Sequence, residues 1–191
     1  MHEHTLKLLI PKEKIEHRVQ QLAEQISRDY QDSRLVCIGV LKGAFVFLAD
    51  LLRRLSITPM VDFIQISSYG AATSSSGSCT IVKPLGCDLT SKDVLIVEDI
   101  IDTGTTFRYL GDHIRSKHPR SVKICALLDK QYRRTHDVAP DYCGFVINDE
   151  FVVGYGLDCG EAYRWLPDIY VLTDHDTGAT DGAEGTARPG A

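Results

Sequence analysis

An α/β fold, a mainly parallel central sheet covered by helices, is what this sequence predicts, and three observations predict it. Short apolar runs at Leu35–Val40, Val94–Val97 and Val122–Leu128 read as strands buried on both faces. Amphipathic segments of helical length lie between such runs, so strand and helix alternate along the chain. Polar or charged residues close three of the runs: Lys42-Gly43, Glu98 to Thr106, and Lys130. Ligands of such sheets bind beyond the carboxyl ends of the strands, so function is expected at these three places.

Pro11 opens the first helix, whose Ile15, Val19, Leu22 and Ile26 share one face. After the strand at 35–40, a helical segment runs from about Ala44 to Leu55, and Val61 to Ser67 alternates as a strand does. Residues 70–80, GAATSSSGSCT, are small and polar and read as a loop. Because strands flank it, a lid over a reactive centre suits it better than a linker between domains. The strand at 94–97 passes into an acidic turn, Glu98 to Asp102. A helix from about Gly104 to Lys117 follows, with Phe107, Leu110 and Ile114 as its buried stripe. Beyond the strand at 122–128, Tyr142–Ile147 and Phe151–Val153 are β-like and joined by a turn at Asn148-Asp149-Glu150. Ile169–Leu172 is the last strand, and residues 175–191 have the composition of a disordered tail.

With 191 residues, 43% of them apolar, the chain can bury the core of one domain with a small appended subdomain. A net charge of −5 argues against a nucleic-acid partner. No stretch approaches the ~18 consecutive apolar residues of a membrane helix. The N-terminus shows no signal-peptide core, and the cytoplasm is the expected compartment. Six scattered cysteines (37, 79, 87, 125, 143 and 159) form no CxxC pair and are expected to be reduced.

The segment Val94 to Thr106, VLIVEDIIDTGTT, carries the most chemistry. Four apolar residues deliver two adjacent carboxylates to a sheet edge. Asp102, three threonines and Gly104 follow at a helix start, where unpaired N–H groups and a partial positive charge suit a phosphate. Gly104 lets the backbone approach closely, and Thr103, Thr105 and Thr106 add hydroxyl donors. Glu98 and Asp99 would repel a phosphate; they suit ribose hydroxyls or a magnesium ion. The plainer alternative is a solvated acidic turn before a capped helix.

That string resembles the phosphoribosyl pyrophosphate signature of type I phosphoribosyltransferases. The wider text, GVLKGAFVFLADLLRRL, MVDFIQISSYG, LLDK and FVVGYGLDCGEAYRWLPDIYVL, is similar to the hypoxanthine-guanine branch over roughly residues 8–172. The resemblance implies a type I phosphoribosyltransferase fold over residues 1–174, with a small hood subdomain built from the N- and C-terminal segments. It implies a purine-salvage transferase that joins a 6-oxopurine, hypoxanthine or guanine, to phosphoribosyl pyrophosphate with Mg2+, and a homodimer or homotetramer. Asp102 would be the catalytic proton acceptor opposite purine N7, its plainer role a helix cap. Glu98, Asp99, Asp102, Thr103, Gly104, Thr105 and Thr106 would hold the phosphoribosyl group and its 5′-phosphate. Lys42, Gly43 and Arg164 would hold pyrophosphate, at a loop where the family often has a cis bond before the lysine. On sequence alone Lys42 could equally be a solvated strand-end residue and Arg164 a surface ion-pair partner.

By the same resemblance Lys130 would donate to the C6 carbonyl, a contact that disfavours adenine. Phe151 and Val152 would form the base shelf, Asp158 would lie near base and metal beside Glu98 and Asp99, and Ser68-Tyr69 would open the closing loop. Lys130, Phe151-Val152 and Asp158 also read as a loop lysine, a core strand and a turn acid. Cys159-Gly160 and Ala162, beside Glu161, depart from some family members. A xanthine- or pyrimidine-using sister enzyme and a non-catalytic sensor of the sugar pyrophosphate are the competing readings.

Overall fold

The computed structural model describes residues 4–68 and 79–174. In chain order they form β1 (His4–Ile10), α1 (Lys12–Asp29), β2 (Leu35–Leu41), α2 (Phe45–Leu52), β3 (Met60–Ser68), β4 (Cys79–Lys83), β5 (Asp93–Ile101), α3 (Thr105–Arg115), β6 (Ser121–Asp129), β7 (Tyr142–Val146), β8 (Val152–Val153) and β9 (Ile169–Asp174). Six strands make the main sheet in the order β4-β3-β2-β5-β6-β7. All its pairs are parallel except β3 with β4. The predicted α/β class is therefore correct, and the apolar runs at 35–40 and 94–97 are buried throughout.

Each helix packs through the stripe its sequence predicts. Ile15, Val19, Leu22 and Ile26 of α1, with Phe47, Leu48 and Leu51 of α2, cover one face over Cys37, Leu95 and Val97. Phe107, Leu110 and Ile114 of α3 cover the other face over Ile38 and Ile96. Each such fully buried side chain contributes roughly 1.5–3 kcal/mol. All six cysteines are free. No described helix is long and apolar enough to cross a membrane.

Strand order reverses between β2 and β5: the chain leaves β2 toward β3 on one side, and β5 leads to β6 and β7 on the other. The connections after β2 and β5 diverge there and open a crevice at the carboxyl ends of the two strands. At the opposite end of β5, Asp93 receives Arg120 Nε at 2.9 Å and Ser121 Oγ at 2.6 Å. These donors, Arg120 foremost, hold its carboxyl down at about 2 despite burial.

A second sheet, β1-β9-β8, is antiparallel and joins the two ends of the chain. Its Ile10, Val152, Ile169 and Val171 share the core that α1 covers. The sequence reading did not identify β1, because its partner β9 lies at the far end of the chain.

Five expectations need correction. Glu98 and Asp99 are not in a turn: β5 stays paired with β6 through Glu98, Ile100 and Ile101, and only Asp102 lies beyond it. Tyr142–Val146 and Val152–Val153 are not a hairpin. β7 pairs with β6 and β8 with β9, so residues 148–150 carry the chain from one sheet to the other. Cys79 and Thr80, read as loop, open β4; residues 70–78 of that loop and Tyr69 lie outside the described residues, as do 175–191. The second helix ends at Leu52 rather than Leu55, and Pro11 precedes α1 as its cap.

Candidate active site

β5 carries Glu98 and Asp99 into the crevice, and both are buried. Burial raises the Glu98 carboxyl well above its ordinary range, and the neighbouring Asp99 charge raises it further. Asp99 is raised too, chiefly by burial, although the Ile100 N–H donates to its Oδ1 at 2.8 Å. Two acids so placed resist joint ionisation. Glu98 Oε2 has no hydrogen-bond partner. Among the described residues no ion pair reaches either carboxylate.

Residues 102–104 bend the chain from β5 into α3. Gly104 caps α3 at φ 87°, the left-handed region that a side chain disfavours, with Arg134 Cδ and His136 Cβ packed around it. The first turn of α3 leaves its N–H groups without intrahelical partners, as any helix start does, and Gly104 and Thr106 of that turn line the crevice. A cavity of about 250 Å³ is lined by Glu98, Asp99, Asp102, Thr103, Gly104 and Thr106, with Val40 and Leu41 of β2 opposite. Six of the seven residues expected to hold the phosphoribosyl group are thus brought together. Thr105 is the seventh; its hydroxyl lies 3.1 Å from that of Thr103 and it does not line the cavity. A larger cavity of about 450 Å³ lies beside α3, near Arg108 and His136, away from these carboxylates.

The Leu41–Lys42 bond is cis. A Cβ on Gly43 would overlap the Asp99 carboxylate, so glycine is required for the β2 loop to lie against β5. Lys42 Nζ meets Glu161 Oε1 at 2.8 Å, and Glu161 Oε2 lies 3.3 Å from Arg164 Nη2. Arg164 Nη2 also pairs with Asp158 Oδ1 at 2.8 Å, while Asp158 Oδ2 accepts the Glu161 N–H at 2.9 Å. Lys42, Arg164 and Asp158 therefore form one charged cluster around Glu161, a residue that no sequence signal singles out. Glu161 sits at φ 68°, an uncommon backbone state for a residue with a side chain.

On the far side, Lys130 is buried and its Nζ lies 3.7 Å from Asp149 Oδ1. Arg133 Nη1 donates to the same oxygen at 3.0 Å, and Arg133 Nε lies 3.2 Å from Asp102 Oδ1. Asp102 thus faces Arg133 and does not cap α3. Phe151 exposes its ring, half uncovered, whereas Val152 is buried. Ser68 is the last residue of β3, at the same end of the sheet. No sequence signal marks Arg133, and Asp149 carries only the signal of a turn residue.

Oxygen donors, one of them unpartnered, are what a hard divalent cation takes, so Glu98 and Asp99 fit magnesium. The described residues gather no three His, Cys, Asp or Glu side chains into a cage, and Asp158 turns instead to Arg164. Magnesium that retains water and binds a substrate's own oxygens needs no such cage.

The phosphoribosyl transferase domain family matches residues 9–159. A hypoxanthine-guanine phosphoribosyltransferase of Aquifex aeolicus is 46% identical over 170 residues, 88% of this chain and 96% of that protein. One of Staphylococcus aureus is 44% identical over 172 residues, 90% of this chain and 96% of that protein. Two crystal structures superpose with TM-scores of 0.84. A hypoxanthine phosphoribosyltransferase of Staphylococcus aureus is 44% identical, covering 87% of this chain and 91% of that one. A hypoxanthine-guanine phosphoribosyltransferase of Bacillus anthracis, with a HEPES molecule in its active site, is 43% identical and covers 90% and 99%.

Proposed function

The chain belongs to the phosphoribosyl transferase domain family, and from that premise we propose that it is a purine-salvage enzyme. It transfers the 5-phosphoribosyl group of phosphoribosyl pyrophosphate to hypoxanthine or guanine, giving IMP or GMP and pyrophosphate. The observation that carries this reading is the cavity at the strand-order reversal. It sets two buried carboxylates, Asp102 and the hydroxyl-rich start of α3 around one space.

In the reaction the bond from ribose C1′ to the pyrophosphate oxygen breaks, and its electron pair leaves with pyrophosphate. The base nitrogen N9 forms the new bond to C1′, and the base loses a proton. Thr103, Gly104 and Thr106 hold the 5′-phosphate at the helix start, with Thr105 contributing through the backbone. Glu98 and Asp99 receive the ribose hydroxyls, Lys42 and Arg164 hold the departing diphosphate, and Gly43 brings the lysine loop into place. Asp102 stabilises the positive charge that grows on the ribose ring and accepts the proton from purine N7. Lys130 donates to the C6 carbonyl, the exposed Phe151 ring stacks on the base, and Val152 contacts it through its backbone.

Glu98 and Asp99 are the residues that would hold magnesium, whose charge would offset that of the diphosphate, while Asp158 is engaged by Arg164. Residues 1–174 act as one unit, with the β1-β9-β8 sheet as hood. Self-association as a homodimer or homotetramer, with the cytoplasm as working compartment, completes this reading.

The test is base consumption with saturating magnesium and sugar donor, comparing hypoxanthine, guanine and xanthine, beside Asp102→Asn. Nucleotide formation from hypoxanthine or guanine, lowered about 10²–10⁴-fold in the variant with little change in sugar-donor KM, is expected. Absence of turnover together with a nucleic-acid gel shift would instead make the protein a sensor.

A further inference from the structure

We propose that Arg133 and Asp149 form a charged clasp that holds Asp102 and Lys130 apart, and so keeps the purine subsite open. Asp102, Arg133, Asp149 and Lys130 alternate in sign. The contacts run 3.2 Å from Asp102 to Arg133, 3.0 Å from Arg133 to Asp149 and 3.7 Å from Asp149 to Lys130. The four residues come from three different connections, those after β5, β6 and β7, so no single loop fixes the arrangement.

The inference rests on the functional reading above, which sets Asp102 and Lys130 against neighbouring atoms, N7 and the C6 oxygen, on one edge of the base. Two opposite charges converging on one edge attract each other, and in a ligand-free site a direct pair would fill the space the base needs. Lys130 is largely removed from water, which strengthens that attraction. The clasp sets an opposite charge against each of the two, although Asp102 Oδ1 keeps no hydrogen-bond partner and meets Arg133 only as an ion pair. Arg133 occupies Asp102 and Asp149 occupies Lys130, while the aligned hydrogen bond between Arg133 and Asp149 closes the chain. Arg133 and Asp149 are about half exposed, so replacing them leaves the core untouched. They are positioning residues: they act on the base through Asp102 and Lys130.

Steady-state kinetics on the full chain with Arg133→Ala, Asp149→Ala, the double variant and Arg133→Lys provide the test, with crystal structures of the ligand-free wild type and double variant. Each alanine variant is expected to raise the KM for hypoxanthine on the order of tenfold, the loss of one charged hydrogen bond, with sugar-donor KM within about twofold. The double variant should cost less than the product of the single effects, because either loss already opens the clasp. Arg133→Lys should restore part of the loss. Equal changes in both substrates' KM values, or independent effects of the two alanines, would overturn the clasp. If the wild type turned over neither hypoxanthine nor guanine, the functional reading would fall. The clasp would then be judged by the crystals alone. A direct Asp102–Lys130 pair in the double variant supports it, and unchanged positions overturn it.

Discussion

Glu98→Gln tests whether the acid pair is held against its own preference. The side chain is buried, one carboxylate oxygen has no partner, and Asp99 follows it directly. Burial and the Asp99 charge raise its folded pKa above the ordinary 4.5. Between that ordinary value and the raised one, the folded protein binds more protons than the unfolded chain, so stability falls as pH rises through the window. Below 4.5 both states are protonated and the residue contributes nothing to the pH dependence. Gln keeps the shape, cannot ionise, and offers Asp99 an N–H donor. Relief of a buried, unpartnered charge is worth about 2 kcal/mol, or about 4–8 °C in Tm for a chain of this size. Thermal melts of the ligand-free protein from pH 4.5 to 8.5 should show the variant gaining on the wild type as pH rises, with the curves converging at the acid end. Parallel curves would show that Glu98 does not titrate in that window, and the account of the acid pair would fail.

At the other end of β5, Asp93→Asn should act with the opposite sign. Its folded pKa of about 2 lies below the ordinary 3.8, so its contribution is present above 3.8 and is lost as pH falls toward 2. Melts at pH 7 should show a loss of about 2 kcal/mol that shrinks in acid. Gly43→Ala drives a methyl into the Asp99 carboxylate, and an overpacking cost of about 1–3 kcal/mol should appear in sugar-donor KM as a rise of about tenfold or more. An unchanged KM would mean that the β2 loop and β5 do not act together. Chelation of divalent ions should abolish turnover, and added magnesium should restore it; full activity in chelator would remove the metal from the scheme.

Much of this architecture was legible because its signals are contiguous. The apolar runs that became β2, β5 and β6 needed only burial on both faces, and the string from Val94 to Thr106 holds a strand end, an acid pair and a helix start without a gap. What failed depended on partners far away in sequence. β1 is paired only by β9, and no local pattern announces that. Carboxylates at 98 and 99 looked like a stop signal, yet the ladder to β6 continues beneath them, because strand pairing is a backbone property that side-chain charge does not end. Lys42 meets Glu161 across 119 positions, so the pyrophosphate cluster became visible only when the chain was folded.

Asp93 and Glu98 stand five residues apart on one strand, both nearly removed from water, and their carboxyls shift in opposite directions. The difference lies in what surrounds them. Asp93 has a guanidinium and a hydroxyl within 3 Å, so the fold itself answers its charge. Glu98 has an acid beside it and an oxygen with no donor, and the Asp99 backbone N–H answers its charge only in small part. A buried acid that its fold leaves uncompensated lowers stability, and strand packing alone would be served better by an apolar residue. Its presence is therefore accounted for by something the cavity receives, which must bring hydroxyl donors, a cation or both. A ribose carrying a metal-bound diphosphate supplies both to the one end of β5 where the fold does not.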